Sequence, residues 1–138
     1  MIQQPVKWQV EILLMKIFVT HASSFNFQDE LYKPLRESSL NQEHEFILPQ
    51  ENGRLEVDKE LIKSCNLIIA EVSHPSTGQG IELGWADMLD IPIVCIYKEG
   101  TNFSPALHYV SKKFLMYTSG ENMIEDITGV LRQYVLSN

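Results

Sequence analysis

Leu67-Ile68-Ile69-Ala70 and Ile93-Val94-Cys95-Ile96 are apolar at every position, and that lack of alternation decides the fold. A strand with one face in water alternates apolar and polar side chains. A run that is apolar throughout belongs to a strand covered on both faces, as in a parallel sheet flanked by helices. Working outward from these two central runs, strands are expected near 66–72 and 92–97, with three more near 16–20, 44–48 and 113–117. Between them Phe27–Ser38, Val57–Cys65, Gly80–Leu89 and Ser104–Val110 read as helices, and Asn122–Leu136 closes the chain with an amphipathic helix. Regular strand–helix alternation with right-handed crossovers predicts an α/β fold. The sheet is a flavodoxin-like or Rossmann-like doubly wound one of five parallel strands, order 2-1-3-4-5, with helices on both faces. Asn52-Gly53 and Glu99-Gly100 read as turns.

A chain of 138 residues is the size of one domain, expected over 15–138. Residues 1–14 differ in kind: either Met15 begins the native chain, or Trp8–Leu14 is an added element packing on the domain or on a partner. With 44% hydrophobic and 21% charged residues, the composition is that of a globular protein. The net charge is −7, and the basic residues are scattered, which argues against a nucleic-acid duplex or a membrane as partner and for a small ligand. Cys65 and Cys95 lie in apolar stretches without CxxC spacing, so buried thiols are expected and no metal or cofactor is. No apolar run reaches membrane-spanning length and no signal-peptide pattern is present, which suggests a cytoplasmic protein.

In a sheet of this order, ligands bind beyond the carboxyl ends of the strands where the order reverses. That selects two loops, Thr20-His21-Ala22-Ser23-Ser24 and Glu71 to Gly80. The second enters a helix at Ile81-Glu82-Leu83-Gly84. Ser76, Thr77, Gly78 and Gly80 offer hydroxyls and amides at the positive end of that helix, suited to an anion. Glu82 then falls in the first turn, where the helix dipole and free N–H groups favour the ionised carboxylate that a nucleophile requires. Taken alone, the same residues also describe an acid that complements a helix dipole beside glycines that let the chain turn.

The stretch Glu71-Val72-Ser73-His74-Pro75-Ser76-Thr77-Gly78-Gln79-Gly80-Ile81-Glu82-Leu83-Gly84 resembles the acidic-residue, Pro-Ser, Gly-x-Gly-x-Glu-Leu-Gly signature of the nucleoside 2-deoxyribosyltransferase superfamily, which includes the 2'-deoxynucleoside 5'-phosphate N-hydrolases. The resemblance spans about Ile17 to Tyr117 and is strongest from Asp58 to Pro92. It implies that Glu82 is the nucleophile attacking the anomeric carbon, and that Asp58 interacts with the base and assists its departure. Such a reaction builds positive charge on the sugar and negative charge on the base, so two carboxyl groups suit it. By the same resemblance Ser76 and Gly78 bind a 5'-phosphate, with Gly80 beside them. Ser104 contributes to a neighbouring subunit's phosphate site in a homodimer or larger homo-oligomer. Ser104 followed by Pro105 equally fits a helix cap, and Asp58 a first-turn acid.

The first loop departs from the family pattern, for Ile17-Phe18-Val19-Thr20-His21-Ala22 carries neither the usual tyrosine nor the usual glycine. The hydroxyl that would orient the nucleophile is missing there, and His21 or Ser23 is the expected substitute. Trp85 and Phe25 are expected to pack rather than to stack on a base. A different reading makes the chain a non-catalytic nucleotide-binding or signalling module, since Ile17 to Ser23 faintly resembles the opening of Toll/interleukin-1-receptor-type domains. A third makes it a degenerate member that binds nucleotide without reacting.

Overall fold

The computed structural model describes residues 14–137; the expectations for the segment before Leu14 concern residues outside the described ones. The strands are β1 (Lys16–His21), β2 (Glu45–Ile47), β3 (Leu67–Glu71), β4 (Ile93–Lys98) and β5 (Lys113–Tyr117). They form one 5-stranded sheet in the order β2-β1-β3-β4-β5, with every neighbouring pair parallel. This is the order expected from the sequence.

Strand periodicity distributes the core over two faces. Ile17, Val19, Leu67, Ile69, Val94 and Ile96 point to one side and pack with Leu31, Tyr32, Leu35 and the closing-helix residues Met123, Ile127 and Leu131. Phe18, Ile68, Ala70, Ile93 and Cys95 point to the other and pack with Ile62, Leu83 and Ala86. Helices α1 (Lys33–Glu37) and α5 (Gly120–Ser137) therefore cover the first face, and α3 (Lys59–Lys63) and α4 (Thr77–Met88) the second. Consecutive residues of a central strand are buried against opposite layers, which is why those strands read as continuously apolar. Cys65 and Cys95 are free thiols within this core.

The helices differ from expectation at their ends. The segment expected to be helical over Phe27–Ser38 begins as a π-helical turn, Gln28–Tyr32, before α1, and a single turn, α2 (Leu40–Glu43), follows. Helix α3 is shorter than Val57–Cys65 because Asp58 is extended and caps it, accepting the Leu61 N–H at 2.9 Å. Ser104–Val110 forms only a 3₁₀ turn, Pro105–Tyr109, with the Ser104 hydroxyl oxygen accepting the Ala106 N–H at 3.3 Å. Gly53 and Gly100 have φ of 87° and 86°, a left-handed conformation that explains glycine at both expected turns. Among the described residues no helix is long and apolar enough to cross a membrane.

Candidate active site

A cleft of about 470 Å³ opens beyond the carboxyl ends of β1 and β3, where the sheet order reverses. Its floor is Thr20, His21 and Ser23, from the end of β1. One wall is the start of α4, contributing Ser76, Gly78, Gln79 and Glu82; the other is the segment after β2, with Pro49, Gln50 and Arg54 to Val57.

The α4 wall starts earlier than the sequence suggested. Ser76 is the N-cap, in extended backbone, and its hydroxyl oxygen accepts the Gln79 N–H at 3.3 Å. Gly78 lies in the first turn with open space where a Cβ would stand, so its backbone is accessible from the cleft. Glu82 is the sixth helical residue rather than a member of the first turn. Helix-dipole stabilisation fades beyond the first turn, so the expected source of ionisation does not reach Glu82. Burial instead pushes its carboxyl up from the usual carboxylate range, opposed by a hydrogen bond from Thr20.

That bond is short, with Thr20 Oγ1 donating to Glu82 Oε1 at 2.6 Å. Strand parity explains the meeting. Thr20 shares the parity of Phe18, whose face is covered by α4, whereas His21 shares that of Val19 and points to the layer holding Tyr32. The His21 ring accordingly turns away from Glu82. Its Nδ1–H donates to the Ala22 carbonyl at 2.8 Å, and its Nε2 accepts the Tyr32 hydroxyl proton at 2.6 Å. Burial holds the His21 imidazole below its ordinary pKa, favouring the neutral ring this pairing needs. Tyr32 in turn accepts the Gln50 N–H at 3.1 Å, and burial pushes its own hydroxyl up to about 12. This chain of bonds ties the floor of the cleft to its second wall. Farther along, Glu51 anchors the wall by accepting Arg36 Nε and Nη2, each at 2.8 Å. A paired guanidinium–carboxylate contact of this kind fixes both position and orientation.

The sequence-predicted residues divide accordingly. Glu82, Ser76, Gly78, His21 and Ser23 all line this cleft. Ser23 sits at the rim and exchanges hydrogen bonds with the Gln50 side chain at 3.1 and 3.3 Å. Asp58 is not among the lining residues, although Glu56 and Val57 just before it are; one of its oxygens is engaged in capping α3. Gly80 and Ser104 belong to a second hollow of about 590 Å³ on the far side of the β3–α4 loop, lined largely by Val72, Pro75, Phe103 and Leu107. Ser76 and Gln79 reach both hollows. Phe25 stacks on His74 with ring centroids 5.1 Å apart, and Trp85 packs half-buried against the second core face.

Sequence reasoning passed over Thr20, Gln79 and the Arg54–Val57 wall. For Thr20 a signal existed in the parity of β1. For Gln79 it did not: its side chain crosses to two strands, donating to the carbonyls of Thr20 at 3.1 Å and Glu71 at 2.8 Å.

Fold and cleft together define a doubly wound α/β domain that presents a half-buried carboxyl group at its ligand-binding edge. No protein-family model matches the chain. Over 43 residues it is 42% identical to a Syntrophotalea carbinolica protein provisionally named 2'-deoxynucleoside 5'-phosphate N-hydrolase 1. That match takes in 31% of this chain and 30% of the relative, so the chain spans less than a third of the relative's length. Among solved structures the chain is similar to the CMP N-glycosidase BcmB of Clostridium botulinum, with a TM-score of 0.59 at 23% identity, covering 82% of this chain and 98% of that one. It is also similar to a conserved protein from Enterococcus faecalis V583, with a TM-score of 0.58 at 18% identity, covering 84% and 98% respectively. At these identities the two structures share the fold. The short sequence match and the shared fold agree with the resemblance to the nucleoside 2-deoxyribosyltransferase superfamily.

Proposed function

We propose that the chain cleaves the N-glycosidic bond of a nucleoside, 2'-deoxynucleoside or the corresponding 5'-monophosphate through a glycosyl-Glu82 intermediate. The observation that carries this reading is a half-buried carboxyl group, held by a single hydroxyl, on the wall of a cleft at the switch point of the sheet. Gly78 and Glu82 are four residues apart on one helix, hence on one face and separated by about 6 Å of rise. A nucleotide can thus place its 5' substituent against Ser76 and Gly78 while its sugar faces Glu82.

In the first step an oxygen of Glu82 bonds to C1', and the C1'–N bond breaks with its electron pair leaving on the base. The departing base takes up a proton, and Asp58, next to the cleft-lining Val57, is the proposed donor through the carboxyl oxygen not used in capping; in the second step the proton of the attacking water or base returns to it. Water or a second base then displaces Glu82. A second copy of the chain is the proposed partner: α4 exposes Ile81 and Met88 at 51% and 83%, and Ser104, in the adjoining hollow, is the residue proposed to serve a neighbour's site. Sedimentation of the chain in solution checks this, and a monomer with full activity counts against it.

The activity test is incubation with nucleosides, deoxynucleosides and their 5'-monophosphates, CMP included, with and without an acceptor base, followed by chromatography of free base. Glu82→Gln is expected to lower base release by at least about 10³-fold, as for loss of a covalent nucleophile. Equal release by wild type and variant sinks the proposal.

A further inference from the structure

We infer that Thr20 is the positioning residue for the nucleophile, its hydroxyl fixing one carboxylate oxygen of Glu82 and leaving the other for the anomeric carbon; this rests on the glycosidase reading above. Thr20 is 1% exposed, so bulk water does not compete for its proton, and the proton goes to Glu82 Oε1 at 2.6 Å. Among the described residues no other hydrogen bond reaches the Glu82 carboxyl group, so Oε2 stays available, and Glu82 lines the cleft.

The same residue is gripped through its backbone. Thr20 O accepts the side-chain amide of Gln79 at 3.1 Å, and that amide also bonds Glu71 O. Gln79 and Glu82 stand three positions apart on α4 and so share a helix face. The end of β1 thus holds α4 at two points, by a carbonyl at Gln79 and by a hydroxyl at Glu82. A β-branched side chain has few χ1 choices, which pre-sets the hydroxyl that meets the carboxylate. Two effects follow: the carboxyl group loses rotational freedom before substrate arrives, and a hydrogen bond to the charged form opposes burial, which favours the neutral one.

The test compares wild type with Thr20→Val and Thr20→Ser in the full chain. It follows kcat and KM for base release against pH, and the titration of the Glu82 carboxyl carbon by NMR in ligand-free protein. In Thr20→Val the acidic limb of the rate profile and the carboxyl titration are both expected to move up by about one pH unit. kcat should fall roughly 10- to 100-fold with little change in KM, as for a misplaced reacting group. Thr20→Ser, which keeps the hydroxyl, should recover most of both. If base is released but the Glu82 titration does not move in Thr20→Val, this inference alone is overturned. A rate loss that Thr20→Ser does not recover overturns it as well, marking a packing role. A wild-type chain that releases no base from any substrate overturns the glycosidase reading and this inference together.

Discussion

Glu71 and Glu82 stand eleven residues apart in one motif, yet the fold treats them in opposite ways. Glu71, 1% exposed, is surrounded by donors. It accepts the Ser73 N–H and the Ser73 hydroxyl, each at 2.8 Å, and the Tyr117 hydroxyl. Ser73 Oγ then accepts the Lys98 N–H at 2.8 Å, so this acid binds together the ends of β3, β4 and β5. Burial and the neighbouring Glu71 drive the Tyr117 hydroxyl far up, keeping it a donor. Glu82 has one donor and an open cleft beside it. The difference separates an acid whose bonding capacity is spent on the fold from one that keeps capacity open beside a cleft, and residue type alone would not have told them apart.

The sharpest way to break this distinction is Glu71→Gln, which sets an amide N–H₂ among donors. Urea unfolding should show a loss of about 3 kcal/mol, and a loss below about 1 kcal/mol would remove Glu71 from its structural role. A smaller effect is expected from pH. His21 pairs with Glu71 across β1 and β3 and also borders the Glu82 cleft. His44 is buried too, its Nδ1 accepting the Met15 N–H at 3.2 Å. Burial lowers both imidazole pKa values, so the unfolded chain takes up these protons first. Their contribution is complete above the ordinary histidine value and is lost as pH falls through it. Unfolding free energies at pH 7.5 and 5.5 should therefore decline toward acid, with a shallower decline in a His21→Gln/His44→Gln double variant; equal slopes would exclude the two rings as the cause. The smallest effect belongs to Glu82→Gln. A carboxyl pushed up by burial opposes folding at neutral pH once ionised, so the variant should stay within about 0.5 kcal/mol of wild type or exceed it. A loss as large as that of Glu71→Gln would erase the contrast.

The order of the sheet, its central strands and the cleft's place were legible because they rest on periodicity and crossover handedness, which the sequence carries locally. That Glu82, Ser76 and Gly78 line this cleft was legible through their place in the loop and helix that follow β3. The sequence points to His21 or Ser23 as the substitute for the missing tyrosine hydroxyl, whereas Thr20 meets Glu82; the alternation of β1 puts Thr20 on the α4 side and His21 on the other. Helix α4 begins three residues before the expected Gly80, because glycines at 78 and 80 read as loop although Ser76 with Gln79 three positions on is a helix-start pattern. What no local pattern could show is that the Gln79 side chain forgoes the reciprocal cap and crosses to two strand carbonyls. That choice depends on orphan acceptors brought together only by the assembled sheet.

The segment Pro49–Val57 faces Glu82 from outside the sheet, attached at one end through Gln50 and Glu51 and at the other through the Asp58 cap. Its middle, Asn52–Glu56, is surface exposed and, among the described residues, makes no side-chain hydrogen bond to Thr20, Gln79 or Glu82. On the glycosidase reading proposed above, a handful of changes in this jaw would retune which ligand is accepted while the Thr20–Glu82–Gln79 contacts stay as they are.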